Sequence, residues 1–114
     1  MNRNPSLAAC LVAAALLFCA QESFSQAVDA DAAQALLKKS DCGKCHAVDK
    51  KKDGPSFKET ATKLKGKAGA EDEVIKHLTT APKVKIDGKE EEHKVVKSKD
   101  DAEIRNLARW ILSR

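Results

Sequence analysis

The chain has 114 residues, a formal net charge of +4, four cysteines and only four aromatic residues other than histidine. This length allows one small domain. Lysine-rich positive charge is compatible with nucleic-acid binding, but the shortage of aromatic rings and the export signal described next argue against it, and we expect a surface that attracts acidic protein partners.

Residues 1–27 have the pattern of a secretory signal peptide. A basic residue, Arg3, precedes the apolar run Leu7–Ala20, and small residues lead up to Ala27. The run is shorter than the roughly 20 apolar residues that span a bilayer. We therefore expect cleavage after Ala27, export to the periplasm, no membrane insertion of the mature protein, and one domain at residues 28–114.

Two helices are predicted in the first half of that domain. The first covers Ala30–Lys39, where small and apolar residues fall on one face. The second carries Phe57, Ala61 and Leu64 at spacing i, i+4, i+7, and Ser56 is placed to cap its N-terminus. The glycines of the following "GKAG" stretch end this pattern.

Two further helices are predicted in the second half. The third covers Glu71–Leu78, with acidic residues in its first turn, and the last begins with a capping-box-like pair, Ser98 and Asp101. Between them, Ala81–Lys97 contains proline and glycine and has no helical period, so we expect a loop. No alternating strand is predicted, and the fold class is all-α. The apolar face of the last helix consists of Ile104, Leu107, Ala108, Ile111 and Leu112.

The stretch "SDCGKCHAV" carries the chemistry. Because Cys10 and Cys19 fall in the signal peptide, only Cys42 and Cys45 remain in the mature chain, and His46 follows directly. A c-type haem explains every one of these positions: the two thiols add across the haem vinyl groups, and His46 then binds the iron from the proximal side. Covalent haem attachment outside the cytoplasm agrees with the predicted export.

Three other uses of a C-x-x-C pair explain less. A thioredoxin-like redox pair would follow a strand in a βαβ unit, and no such strand is predicted. A structural zinc site needs two more ligands at short spacing, whereas His77 and His93 are far apart in the sequence. A disulfide between the two cysteines leaves the position of His46 unexplained.

Two long stretches, "CGKCHAVDKKKDGPSFKETATKLKGKAGAE" and "SKDDAEIRNLARWILSR", resemble the small class I bacterial cytochromes c. The resemblance covers nearly all of the mature chain. It implies four to five helices around one haem, with crossed terminal helices. We expect a monomeric electron carrier that is not an enzyme. The resemblance also implies that the carbonyl of Pro55, in the pair Gly54-Pro55, accepts a hydrogen bond from His46, which orients the ring and raises its basicity.

The chain departs from that family on the distal side of the haem. The family presents a methionine ligand on the loop before the last helix, but the only methionine here is Met1, in the signal peptide. His93 falls where that methionine would lie, so we expect bis-histidine iron with His46 proximal and His93 distal. His77 is a competing candidate that also suits contact with a haem propionate. The remaining alternatives are an open distal site or a lysine, such as Lys89 or Lys94.

Bis-histidine ligation predicts a low-potential carrier, because imidazole favours ferric iron more than a thioether does. Glu90–Glu92 place negative charge beside His93 and act in the same direction. Lys44 and Lys50–Lys52 flank the haem attachment residues and would attract acidic redox partners. Two alternatives remain: a haem subunit of a periplasmic dehydrogenase, and a haem sensor that binds a small gas molecule.

Overall fold

The computed structural model describes residues 27–114, so the predicted signal peptide lies outside the described residues except for Ala27. Four α-helices, one 3₁₀ turn and one β-hairpin form this part of the chain. Their bounds are α1 Ala30–Lys39, the 3₁₀ turn Cys42–Lys44, α2 Phe57–Leu64, α3 Ala70–Thr79, β1 Lys83–Ile86, β2 Lys89–Glu92 and α4 Asp101–Leu112.

The C-terminal helix α4 is the centre of the fold, because it packs against α1, α2 and α3. Its residues Leu107 and Ala108 are completely buried. The apolar spacing predicted for all four helices therefore corresponds to the faces that form one core. The other main core side chains are Ala33, Leu36, Phe57, Leu64, Val74, Leu78, Val96, Ile104, Trp110 and Ile111.

The predicted N-cap of α2 is confirmed. The Ser56 hydroxyl accepts a hydrogen bond from the Glu59 amide at 3.0 Å, and the Glu59 carboxylate accepts one from the Ser56 amide at 2.7 Å. This reciprocal capping box satisfies two amide groups that the first helical turn leaves without partners. It begins α2 immediately after the Gly54-Pro55 pair.

The cap predicted for α4 is wrong. Asp100 is the N-cap, and its carboxylate accepts hydrogen bonds from the amides of Ala102 at 2.8 Å and Glu103 at 3.1 Å. Ser98 lies two residues before this N-cap, where its hydroxyl donates to the Glu103 carboxylate at 2.6 Å. The helix therefore begins at Asp101, and a carboxylate rather than a hydroxyl faces the positive end of its dipole.

The loop predicted at Ala81–Lys97 contains an antiparallel hairpin, which corrects that prediction. Register pairs Lys83 with Glu92 and Ile86 with Lys89. The two turn residues, Asp87 and Gly88, have φ of 50° and 77°, as a type I′ turn requires. The Asp-Gly pair, preceded by alternating lysines and aliphatic residues in β1, was the available sequence signal for this hairpin.

Side-chain hydrogen bonds fix the ends of α1 and α3 on α4. The Asn106 side chain makes two hydrogen bonds with the backbone of Asp29, the N-cap of α1, at 2.8 and 2.9 Å. Glu71, in the first turn of α3, accepts from Arg105 at 2.6 Å and from Arg109 at 3.0 Å.

Within residues 27–114, no helix has both the length and the apolar character needed to cross a bilayer.

Candidate haem site

The three residues of the C-x-x-C-H motif lie on one tight turn. The carbonyl of Cys42 accepts hydrogen bonds from the amides of Cys45 at 3.2 Å and His46 at 3.0 Å. Asp41, just before the turn, has a φ of 59° and redirects the chain after α1. Both cysteines are unpaired and half-buried, and burial raises the pKa of the Cys42 thiol. The turn therefore presents two thiols and an imidazole side by side.

The orientation of His46 is fixed by its neighbours. Its Nδ1 lies 2.7 Å from the Pro55 carbonyl oxygen. Because a carbonyl only accepts, Nδ1 carries the proton and Nε2 is left with a free lone pair, as a metal ligand requires. The ring also stacks on Phe57, with ring centroids 5.5 Å apart and planes 20° apart.

Gly54 lies against the face of the same imidazole. A Cβ atom at this position would lie 2.9 Å from His46 Nδ1 and 3.0 Å from Nε2, and closer still to Cε1. The space beside the ring therefore accommodates no side chain. The sequence resemblance assigned a role only to the Pro55 carbonyl of the Gly54-Pro55 pair. The requirement for glycine at position 54 follows from the packing in the structure.

The segment after β2, which carries His93, is held in place by backbone hydrogen bonds. The His93 amide donates to the Pro82 carbonyl at 2.8 Å, and the Val96 amide donates to the Leu78 carbonyl at 2.8 Å. The Lys97 amide donates to the buried Ser40 hydroxyl at 2.9 Å. These three hydrogen bonds hold the segment against the hairpin base, α3 and the end of α1.

The ring of His93 lies close to that of His46. Their centroids are 6.0 Å apart and their planes are tilted by 52°. An imidazole nitrogen binds a metal at about 2 Å, and each ring centroid lies about 1 Å further out, so one iron atom between two imidazoles requires a separation of roughly 6 Å. Burial lowers the pKa of His93, which favours the neutral ring that ligates metals.

His77, in the last turn of α3, joins this group. Its ring centroid lies 4.3 Å from that of His93, with the planes 60° apart. Burial lowers the pKa of His77 as well, and the neighbouring His46 adds to the effect. The two lysine candidates, Lys89 and Lys94, have exposed side chains. The structure thus brings together the histidine candidates and leaves the lysines at the surface.

The site fits a haem iron on two observations. The His46 imidazole has an unprotonated nitrogen and a carbonyl partner at its other ring nitrogen, and the centroid of a second imidazole, His93, lies 6.0 Å away. Cys42 and Cys45, on the turn that bears the proximal ligand, supply the two thiols. A helical fold with this arrangement defines a monohaem c-type cytochrome.

Comparison with known proteins agrees. The Cytochrome c family model matches residues 30–114, and the chain belongs to the cytochrome c family. It is 37% identical over 81 residues to cytochrome c-551 of Azotobacter vinelandii, which covers 68% of this chain and 92% of the relative. It is 34% identical over 89 residues to cytochrome c-551 of Pseudomonas aeruginosa, which covers 78% of this chain and 83% of the relative.

Two solved structures share the fold. The class 1 cytochrome MtoD from Sideroxydans lithotrophicus ES-1 matches with 53% identity and a TM-score of 0.73, over 76% of this chain and 97% of MtoD. Wild-type cytochrome c552 from Nitrosomonas europaea matches with 28% identity and a TM-score of 0.56, over 70% of this chain and 96% of its own. The class I cytochrome c fold predicted from the sequence is therefore confirmed.

Family membership establishes the cofactor and the general activity. One haem is attached covalently through Cys42 and Cys45, and the protein is a monohaem electron carrier rather than an enzyme. The haem supplies the redox chemistry, and the protein supplies its attachment, its ligands and its surroundings. Sequence reasoning identified His77 as a rival ligand or a contact of a haem propionate. It missed the contact of His77 with His93, which depends on how the segment after the hairpin is held against α3.

Proposed function

We propose that this protein is an exported, low-potential one-electron carrier whose haem iron is ligated by His46 and His93. The observation that carries the proposal is the 6.0 Å separation of these two rings across the site. Iron with two strong nitrogen ligands changes charge by one electron without binding substrate. Because such iron has no free coordination position for a substrate, we expect it to transfer electrons and not to catalyse a reaction.

The low potential follows from the ligand set. Methionine thioether raises the potential of c-type cytochromes, and imidazole, a stronger donor, stabilises ferric iron instead. The three glutamates of β2 precede His93 and add negative charge. They are exposed, and Glu90 lies 3.8 Å from the ammonium of Lys83, so water and this partner reduce their effect on the iron. The second imidazole is the larger contribution.

Export is supported by the basic, apolar and small-residue pattern of residues 1–27. Cleavage after Ala27 would make Val28 the new N-terminus, directly before Asp29, whose backbone is bound by the Asn106 side chain. The domain at residues 28–114 would then begin just where the folded structure needs its first residue. This pattern favours a periplasmic location for the mature protein.

The docking surface that we propose consists of Lys44, within the attachment turn, and Lys50–Lys52, which follow it; all four lysines are exposed. Lys44 lies 3.7 Å from the Asp41 carboxylate, which offsets part of its charge. The surface would guide an acidic redox partner to a monomeric carrier by long-range attraction.

Stopped-flow oxidation by the anion hexacyanoferrate(III) tests this surface. The rate should fall as ionic strength rises, and Lys50→Gln with Lys51→Gln should weaken that salt dependence. The matched control changes the same number of charges at Lys65 and Lys67, beyond the end of α2. Equal effects of the two double variants would show that only net charge matters and that no local docking surface exists.

Spectroscopy of the oxidised protein tests the ligand set. Low-temperature electron paramagnetic resonance and near-infrared magnetic circular dichroism should show low-spin iron with two imidazole ligands in the wild type. His93→Ala should lose this signature, whereas Lys94→Ala, at the next residue, should retain it. A His93→Ala spectrum identical to wild type would rule out His93 as the ligand. Rapid and complete binding of carbon monoxide by the reduced wild type would instead favour a ligand-binding sensor.

A further inference from the structure

The two sides of the site hold their imidazoles in different ways. His46 is anchored through a ring nitrogen by the Pro55 carbonyl. The Nδ1 atom of His93 is buried and has no hydrogen-bond partner among residues 27–114. A metal-ligating histidine normally donates its second ring nitrogen to an acceptor, which fixes the ring orientation. His93 lacks that restraint and needs another one.

The neighbouring ring of His77 occupies the position where such a restraint would act. The centroid distance of 4.3 Å and the 60° angle describe an edge-to-face contact. His93 is half-buried, and His77 is exposed to solvent on its outer side but packs its ring against that of His93. Aromatic pairs in this geometry resist rotation of either ring, because turning one drives its edge into the other.

His77 also lies on an element that is packed more extensively than the one before His93. It belongs to α3, whose Val74 and Leu78 side chains are in the core. The first turn of that helix is tied to α4 through the hydrogen bonds of Glu71 to two arginines. His93 follows a two-stranded hairpin with exposed charged residues, which has little burial of its own. A ring on a packed helix can therefore help to position a ring on a segment whose side chains are less buried.

We propose that His77 is a positioning residue for the His93 imidazole. Its ring packs against that of His93, fixes the orientation of the His93 ring plane and slows the release of His93 from the iron. This inference rests on the proposed ligation of iron by His93. It assigns no proton transfer to His77. The required property is a flat ring at this position, and phenylalanine supplies that ring without an imidazole nitrogen.

The experiment compares holoprotein variants His77→Ala and His77→Phe with the wild type, and Lys76→Ala serves as the control at the adjacent, exposed position of α3. The first readout is the largest g value of the oxidised protein, which reports the relative orientation of the two ligand planes. It should shift or broaden in His77→Ala and stay at the wild-type value in His77→Phe and Lys76→Ala. The second readout is the rate of carbon monoxide binding to the reduced protein, which requires release of the distal ligand. It should rise roughly three- to tenfold in His77→Ala only.

Two results would overturn the proposal. Wild-type g values and carbon monoxide rates in His77→Ala would show that the contact has no positioning effect. Complete loss of the bis-imidazole spectrum in both His77 variants would show that His77 is itself the ligand. If His77→Ala does not accumulate with haem, His77→Leu fills the same space without a flat ring and carries the same expectation. His93→Ala, measured in parallel, separates the two hypotheses: an unchanged His93→Ala spectrum rejects the ligation itself.

Discussion

The substitution Gly54→Ala should destabilise the haem site although it adds a single methyl group. The new Cβ would lie 2.9 Å from His46 Nδ1 and 3.0 Å from Nε2, well inside van der Waals contact. The imidazole cannot move away freely, because Phe57 stacks 5.5 Å from it and the Pro55 carbonyl binds Nδ1 at 2.7 Å. The ring or the backbone must shift, and either movement strains the proximal turn.

The expected magnitude follows from the cost of overpacking. Inserting a methylene-sized group into a well-packed site costs about 1–3 kcal/mol. Because guanidinium unfolding of a small domain has a slope of about 4 kcal/mol per M, the unfolding midpoint should fall by roughly 0.3–0.8 M. Displacement of His46 from Pro55 would also reduce the basicity of the ring, so the reduction potential should rise.

Guanidinium unfolding of the holoprotein, followed by circular dichroism, and redox titration measure the two effects. Gly43→Ala is the matched control, since a Cβ there meets no atom within 4 Å and the residue lies in the same motif. We expect Gly43→Ala to unfold like the wild type. Equal unfolding midpoints and equal potentials for Gly54→Ala and Gly43→Ala would refute the reasoning that Gly54 is needed for close approach to the imidazole.

Three further predictions concern the caps, an ion pair and the distal ligand. Ser56→Ala should lower the free energy of unfolding by about 1 kcal/mol because the capping box of α2 is lost, whereas Ser98→Ala should have an effect below about 0.5 kcal/mol; guanidinium unfolding measures both. The pKa of Glu71 is held below its usual value of 4.5 by the hydrogen bond from Arg109, so its stabilisation is complete above pH 4.5 and is lost as pH falls through the lower folded value. The stability difference between wild type and Glu71→Gln should therefore be constant above about pH 5 and shrink below it, and a constant difference down to pH 3 would contradict this. His93→Met should raise the reduction potential in a redox titration, and a lower potential would contradict the ligand argument.

The sequence predicted most of what depends on local spacing. The four helices follow from apolar residues at intervals of three and four, and the Ser56 cap follows from its position before Phe57. The C-x-x-C-H motif identified the cofactor because few chemistries use two thiols and an imidazole in that order. His93 was predicted from its position before the last helix, and its ring centroid lies 6.0 Å from that of His46.

The sequence predicted less of what depends on contacts between distant elements. The hairpin was missed because the glutamates and Lys89 of β2 show no apolar alternation, although Asp87-Gly88 was a usable turn signal. The contact of His77 with His93 depends on the placement of that hairpin beside α3. The role of Gly54 depends on a ring that reaches it from another turn, and glycine in a Gly-Pro pair is equally compatible with a plain turn.

The central claim is that two imidazoles hold the haem iron. The most direct measurement is a crystal structure of the oxidised holoprotein that resolves the coordination of the iron. We predict His46 Nε2 and a ring nitrogen of His93 on opposite sides of the iron, each at about 2 Å. A sixth ligand from any other residue, or a distal position without a protein ligand, would contradict the claim.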